Sequence, residues 1–158
     1  MYSIHHAKGI CMGTRVFSYV ILALSLSCFS AHADPAFIGT IKTLQGKVSI
    51  QVGSSTFVAQ VNDKLYEGYL IATQDHSNIG LVFIDGTQLS IGPSSQVIIN
   101  RYLFSPKQKQ YSFDVMIEKG CAIYSSGKLG ELSPDSIKVQ TPEATIGVRG
   151  TKFLVEVE

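Results

Sequence analysis

Short apolar runs separated by turn residues fill the chain from Phe37 to Val157, and many alternate with polar residues at a period of two. Side chains alternate faces along a strand, so that period predicts half-buried strands rather than helices. Val, Ile, Tyr, Phe and Thr dominate the runs, which suits a pleated, half-buried surface. The predicted strands are residues 37–44, 47–52, 56–61, 69–73, 79–84, 87–91, 96–104, 111–118, 121–125 and 137–141, with two more near the C-terminus. About a dozen strands at this spacing predict a single all-β domain built as a sandwich, barrel or β-helix. No repeat of fixed length recurs, so a regular solenoid is not supported and a compact coil of unequal strand turns stays open. Stretches 62–64, 105–109 and 125–135 read as loops, the last long enough for a mobile flap.

Two local patterns sharpen this picture. Asp85-Gly86, between Ile84 and Thr87, suits the central positions of a type I′ turn. A two-residue loop pairs Ile84 with Thr87 and Val82 with Leu89, which puts Val82, Ile84, Leu89 and Ile91 on one face. Leu81 and Phe83 then lie on the other face, opposite Ser90 and Gln88. Strand 79–84 is apolar on both faces, so it is expected near the middle of the fold. Further on, the alternation reverses phase. Ala144, Ile146 and Val148 hold even positions, whereas Thr151, Phe153, Val155 and Val157 hold odd ones. Keeping one face inward across such a slip needs an extra residue, and Gly150 tolerates the backbone angles of a bulge. The expectation is two strands welded at Gly150, with Arg149 held at the weld. Pro142, which lacks an N–H, separates strand 137–141 from the next. Gly147 and Gly150 are read as positions of close backbone approach.

The N-terminus changes what counts as the domain. Lys8 and Arg15 precede the apolar run 16–29, and Ala31-His32-Ala33 supplies a small-x-small cleavage pattern. A spanning helix needs about 20 apolar residues, so residues 1–33 are expected to be a signal peptide removed before Asp34. The alternatives are an uncleaved membrane tether or a lipidated Cys28, and Met12 is an alternative start. Residues 34–158 then form the domain, periplasmic or secreted, with no transmembrane segment left. Two of the 13 basic residues leave with the signal, so 11 face 12 acids and the net charge becomes −1. A nucleic-acid footprint, a concentrated basic patch, is not present.

Candidate chemistry is sparse. His76 and Cys121 are the His and Cys of this domain, too few for a zinc site. His76 reads as a solvated turn residue and Cys121 as a buried thiol at a strand start. Ser126-Gly-Lys-Leu-Gly lacks the upstream Gly and the following helix of a phosphate loop. The acids form no recognisable catalytic pair. The expectation is therefore a non-enzymatic domain without metal or cofactor.

Several segments, in order, resemble the FecR domain family. They are Leu81-Val-Phe-Ile-Asp85-Gly86-Thr-Gln-Leu-Ser, Ile117-Glu-Lys-Gly120, Ser126-Gly-Lys-Leu-Gly, Ser133-Pro-Asp-Ser, Val139-Gln-Thr141-Pro142 and Val148-Arg149-Gly150-Thr151-Lys-Phe-Leu-Val. The resemblance runs from Gly39 to the C-terminus. It implies an all-β fold with β-helix-like coiling, a β-sandwich being the alternative. It also implies a binding or sensing module that acts through another envelope protein, in envelope or iron-uptake signalling. A structural or glycan-associated envelope domain is the alternative. Sensors of the family carry a cytoplasmic domain ahead of their membrane segment, and the 15 residues before this apolar run are too few to hold a sigma factor. Asp85, Gly86, Gly120, Thr141, Pro142, Arg149, Gly150 and Thr151 make up the family signature, read as structural. Arg149 carries five donors, with Asp85, Asp114 and Glu118 as candidate partners.

Overall fold

The alternating runs fold into twelve strands, as the periodicity predicts. In a computed structural model that describes residues 36–148 and 150–158, they are β1 (Gly39–Gln45), β2 (Val48–Val52), β3 (Ser55–Val58), β4 (Lys64–Leu65), β5 (Leu70–Thr73) and β6 (Asn78–Phe83). β7 (Gln88–Ile91), β8 (Gln96–Ser105), β9 (Gln110–Ser125), β10 (Ile137–Gln140), β11 (Thr145–Gly147) and β12 (Lys152–Val157) follow. The expected signal segment and Arg149 lie outside the described residues. Among those described, no helix is long and apolar enough to cross a membrane.

The strands form one curled sheet in the order β3-β2-β5-β8-β9-β7-β6-β1-β4, with β10, β11 and β12 attached at the other edge of β9. Every pairing is antiparallel except that of β10 with β9. β9 joins two halves. Its residues 110–119 pair with β8 and β10, and its residues 120–125 pair with β7 and β12. The halves face each other across one core. Ile41, Leu81, Leu89 and Ile91 come from the first, and Ile50, Ile71, Ile99 and Ile117 from the second, all at most 2% exposed. Each such side chain contributes roughly 1.5–3 kcal/mol by leaving water. Aromatic rings bridge the halves: Phe83 stacks on Tyr102 and meets Phe113 edge-on, with centroids 5.1 Å apart in both pairs.

The chain crosses between halves by a recurring device. At Gly46, between β1 and β2, φ is 78°, and the next amide, Lys47 N–H, donates to the buried Ser77 Oγ at 2.9 Å. At Gly120, inside β9, φ is 84°, and Cys121 N–H donates to the buried Ser95 Oγ at 3.0 Å. Ser77 and Ser95 sit on the turns that carry the chain from β5 to β6 and from β7 to β8. Each glycine lies flat against its serine: a Cβ would come within 2.9 Å of Ser77 Cα and 2.6 Å of Ser95 Cα. Two left-handed glycines thus let strands turn a corner without stranding a polar group.

Four expectations are corrected. Segments 111–118 and 121–125 are one strand, because Gly120 bends β9 without ending it. The Asp-Gly hairpin has three loop residues. Phe83 N–H bonds Thr87 O, Gly86 N–H bonds Phe83 O, and Leu81 pairs with Leu89. Gly86 alone has positive φ, 88°, so this is a type I turn closed by a glycine bulge rather than a type I′ turn. A one-residue shift of register exchanges the faces: Phe83 is 2% exposed and Ile84 52%. At the C-terminal phase slip, β11 pairs with β10 and β12 with β9, so the two strands belong to different half-sheets and no single ladder is welded at Gly150. Among the described residues, a Cβ at Gly147 or Gly150 would meet nothing within 4 Å, so neither is a point of close approach to them.

Candidate functional site

Of the signature residues, Asp85 and Gly86 form the tip of the β6–β7 hairpin, where a buried polar hub is built around the Asp85 carboxylate. Asp85 is 3% exposed and Thr87 fully buried. The Asp85 carboxylate accepts four hydrogen bonds. Oδ1 takes the Tyr102 hydroxyl at 2.8 Å and Thr87 N–H at 3.2 Å; Oδ2 takes the Thr87 hydroxyl at 2.7 Å and Leu129 N–H at 3.0 Å. Asp85 N–H in turn donates to Tyr102 Oη at 3.2 Å. Burying a carboxylate is costly unless its lone pairs are filled, and here they are filled by groups the fold holds in place.

The segment after β9 is the hub's other half. Four consecutive amides are captured there: Ser126 by Thr151 O at 2.7 Å, Gly127 by Thr87 Oγ1 at 3.1 Å, Lys128 by Asp85 O at 3.0 Å, and Leu129 by Asp85 Oδ2. They open a single-turn helix, α1 (Lys128–Leu132), whose Leu129 is fully buried. A Cβ at Gly127 would come within 2.5 Å of Gly86 C and 2.8 Å of Asp85 O, so only glycine fits against the hairpin. The stretch expected to be a mobile flap is therefore fastened, and it contains α1 and a 3-10 turn at Pro134–Ser136.

Of the other signature residues, Gly120 sits at the strand crossing described above. Thr141 and Pro142 form the β10–β11 turn, where Thr141 N–H donates to Ala144 O at 2.8 Å and Ala144 N–H to Thr141 Oγ1 at 3.1 Å. Pro142 and Glu143 are the two residues between the paired ends. Gly150 and Thr151 are exposed, Thr151 joining the hub through its carbonyl. The position of Arg149 lies outside the described residues. Asp114, one of its candidate partners, accepts from Gln140 Nε2 at 3.0 Å and Asn100 Nδ2 at 3.2 Å. Cys121 is half-buried rather than buried, its Sγ lying against Gly92. Thr87, Tyr102, Gly127 and Leu129 complete the hub; Thr87, Gly127 and Leu129 fall inside segments that resemble the family, with no individual role expected of them, and Tyr102 falls in the predicted strand 96–104. The usable signal was Thr87 directly after Asp-Gly, a polar residue where an apolar run resumes.

Burial pushes the phenols of Tyr102 and Tyr124 above their ordinary 10.0, and the Asp85 carboxylate adds to this at Tyr102. A phenol raised in the fold leaves stability unchanged below pH 10. Above it, the unfolded chain ionises first and stability falls by about 1.4 kcal/mol per pH unit per group. Tyr102→Phe removes a donor to a buried carboxylate and the acceptor of Asp85 N–H. It is expected to cost about 2–3 kcal/mol at pH 7. It is also expected to flatten the alkaline slope by one group's share, in urea titrations at pH 9 to 11. A slope identical to that of the parent would show that Tyr102 ionises freely in the fold.

An all-β domain in which strands cross between two half-sheets, closed by an Asp-Gly-Thr hub, is the class these features define. Residues 69–158 match the profile of the FecR protein family, more than half of the chain, and the chain belongs to that family. No match was found among curated proteins. Among solved structures, one described as a "Cell surface anchoring domain" aligns at 29% identity over 39% of this chain and 82% of that one, with a TM-score of 0.37.

Proposed function

We propose that this domain is a non-enzymatic binding and sensing module of the cell envelope, exported by its N-terminal segment and acting through contact with another envelope protein. Membership of the FecR family is the observation that carries the reading. The hub supports it from the chemical side. The buried Asp85 carboxylate is filled by four protein donors, so it fastens the hairpin to α1 rather than presenting a reactive group. Affinity capture from solubilised envelopes with the tagged domain tests the reading. Enrichment of a receptor or other envelope protein over a tag-only control is expected, and repeated recovery of none would count against it.

A glycan-associated role has one observation in its favour. Phe57, 40% exposed, meets Tyr69 edge-on at 6.0 Å, and Tyr66 lies 5.5 Å from Tyr69, beside Gln60 and Asn62. Aromatic faces with neighbouring amides suit sugar rings. Co-sedimentation with purified cell-wall material, lost on Phe57→Ala, would favour it over the protein-contact reading.

A further inference from the structure

The two half-sheets are unequal where they leave β9. Along the edge away from β7 and β8, the second half continues by two strands, β10 and β11, and the first by β12 alone. Among the described residues, β12 pairs only with β9 and β11 only with β10. Among the described residues, one strand position beside β12 and over β11 is therefore open. Two concavities mark it. One of about 430 Å³ is lined by Pro142, Ile146, Val155 and Val157, and one of about 270 Å³ by Ile146, Val148, Phe153 and Val155. Ile146 borders both and is 37% exposed. The trough is polar in charge. Among the described residues, Glu143, Glu156 and Glu158 stand at one end and Lys152 at the other.

We propose that this trough receives one extended segment of a partner protein, running antiparallel to β12 as an added strand. This deepens the protein-contact reading and rests on it. Strand addition takes its affinity from main-chain hydrogen bonds and its specificity from alternate side chains. Residues opposite Phe153 and Val155 face inward over Ile146 and are apolar. On the outer face, the residue opposite Glu156 is basic, the one opposite Lys152 acidic, and the one between them covers Leu154, which is 61% exposed. The segment therefore reads, from its N-terminus, basic, apolar, apolar, apolar, acidic. A second folded copy is a poor occupant. Antiparallel β12–β12 pairing would bring that copy's β10–β11 hairpin to the place β11 already fills.

The probe is a labelled peptide, Thr-Lys-Val-Leu-Val-Glu-Thr, added to the intact domain at low salt, with Thr-Glu-Val-Leu-Val-Lys-Thr as its exchanged form. The first is expected to bind about tenfold tighter and to protect β12 amides from hydrogen exchange. The double variant Lys152→Glu/Glu156→Lys, both at exposed positions, is expected to reverse that preference. Equal or opposite preference in the parent would overturn the proposal, as would protection on another sheet edge, β3 or β4, in place of β12, or dimerisation through β12. Envelope capture separates the two levels of the argument. A partner retained equally by the double variant docks elsewhere, which overturns the trough and leaves the protein-contact reading standing.

Discussion

Asp85→Ala is expected to lower the unfolding free energy by about 4 kcal/mol, close to the whole stability of a marginal domain. The substitution takes the acceptor from four donors at once: the Tyr102 and Thr87 hydroxyls and the Thr87 and Leu129 amides. A buried donor left unpaired costs roughly 1–3 kcal/mol. The penalties do not add in full, because the hydroxyls can rotate and water can enter the vacated volume. The two amides cannot rotate. Asp85→Asn keeps the volume but turns one oxygen into a donor. Either oxygen faces a backbone amide, Thr87 N–H or Leu129 N–H, so an amide group at 85 is expected to cost about 2–3 kcal/mol. The chain has no Trp, so urea unfolding is best followed by circular dichroism. Hydrogen exchange supplies the local readout, since amides 126–129 should lose protection before the β8–β9 ladder does. If Asp85→Ala stays within about 1 kcal/mol of the parent, the carboxylate is not what holds the hairpin to α1.

That hub also marks the limit of what the sequence made legible. Strand positions follow from alternation, which is local, and most of them lie within a few residues of their predicted places. β4 was missed because two residues, Lys64–Leu65, carry no period. The register of the β6–β7 hairpin was missed for a deeper reason. Asp-Gly suits both a two-residue loop and a type I turn with a glycine bulge, and Val82 and Ile84 are as apolar as Leu81 and Phe83. What decides is not local. Phe83 turns inward to Tyr102 and Phe113, and Asp85 turns inward to Leu129 N–H, 44 residues away. The same holds at the C-terminus. The phase reversal around Gly150 was visible, but its cause is a change of half-sheet between β11 and β12. A single strand's pattern cannot distinguish that from a bulge.

Glycine substitutions separate backbone conformation from close packing, and Gly120→Ala is expected to be the most damaging of a graded set. At Gly147 the backbone is ordinary and a Cβ meets nothing, so Gly147→Ala is expected to change stability by less than about 1 kcal/mol, in the stabilising direction if at all. At Gly86, φ is 88° but the space is open, so alanine there meets only the left-handed penalty, about 1–2 kcal/mol. Gly120 carries both burdens: φ of 84°, and Ser95 Cα 2.6 Å from the added carbon. That neighbour is backbone and cannot swing away. Relief requires β9 to lift off the turn that carries Ser95, which also breaks the bond from Cys121 N–H to Ser95 Oγ. Backbone displacement in a packed interior costs a further 1–3 kcal/mol or so, giving about 4 kcal/mol in all. Unfolding midpoints measured in one denaturant would order the three variants. Gly120→Ala matching Gly86→Ala would mean that the crossing needs only a left-handed residue. A loss twice as large would place the corner of the fold in the contact between Gly120 and Ser95.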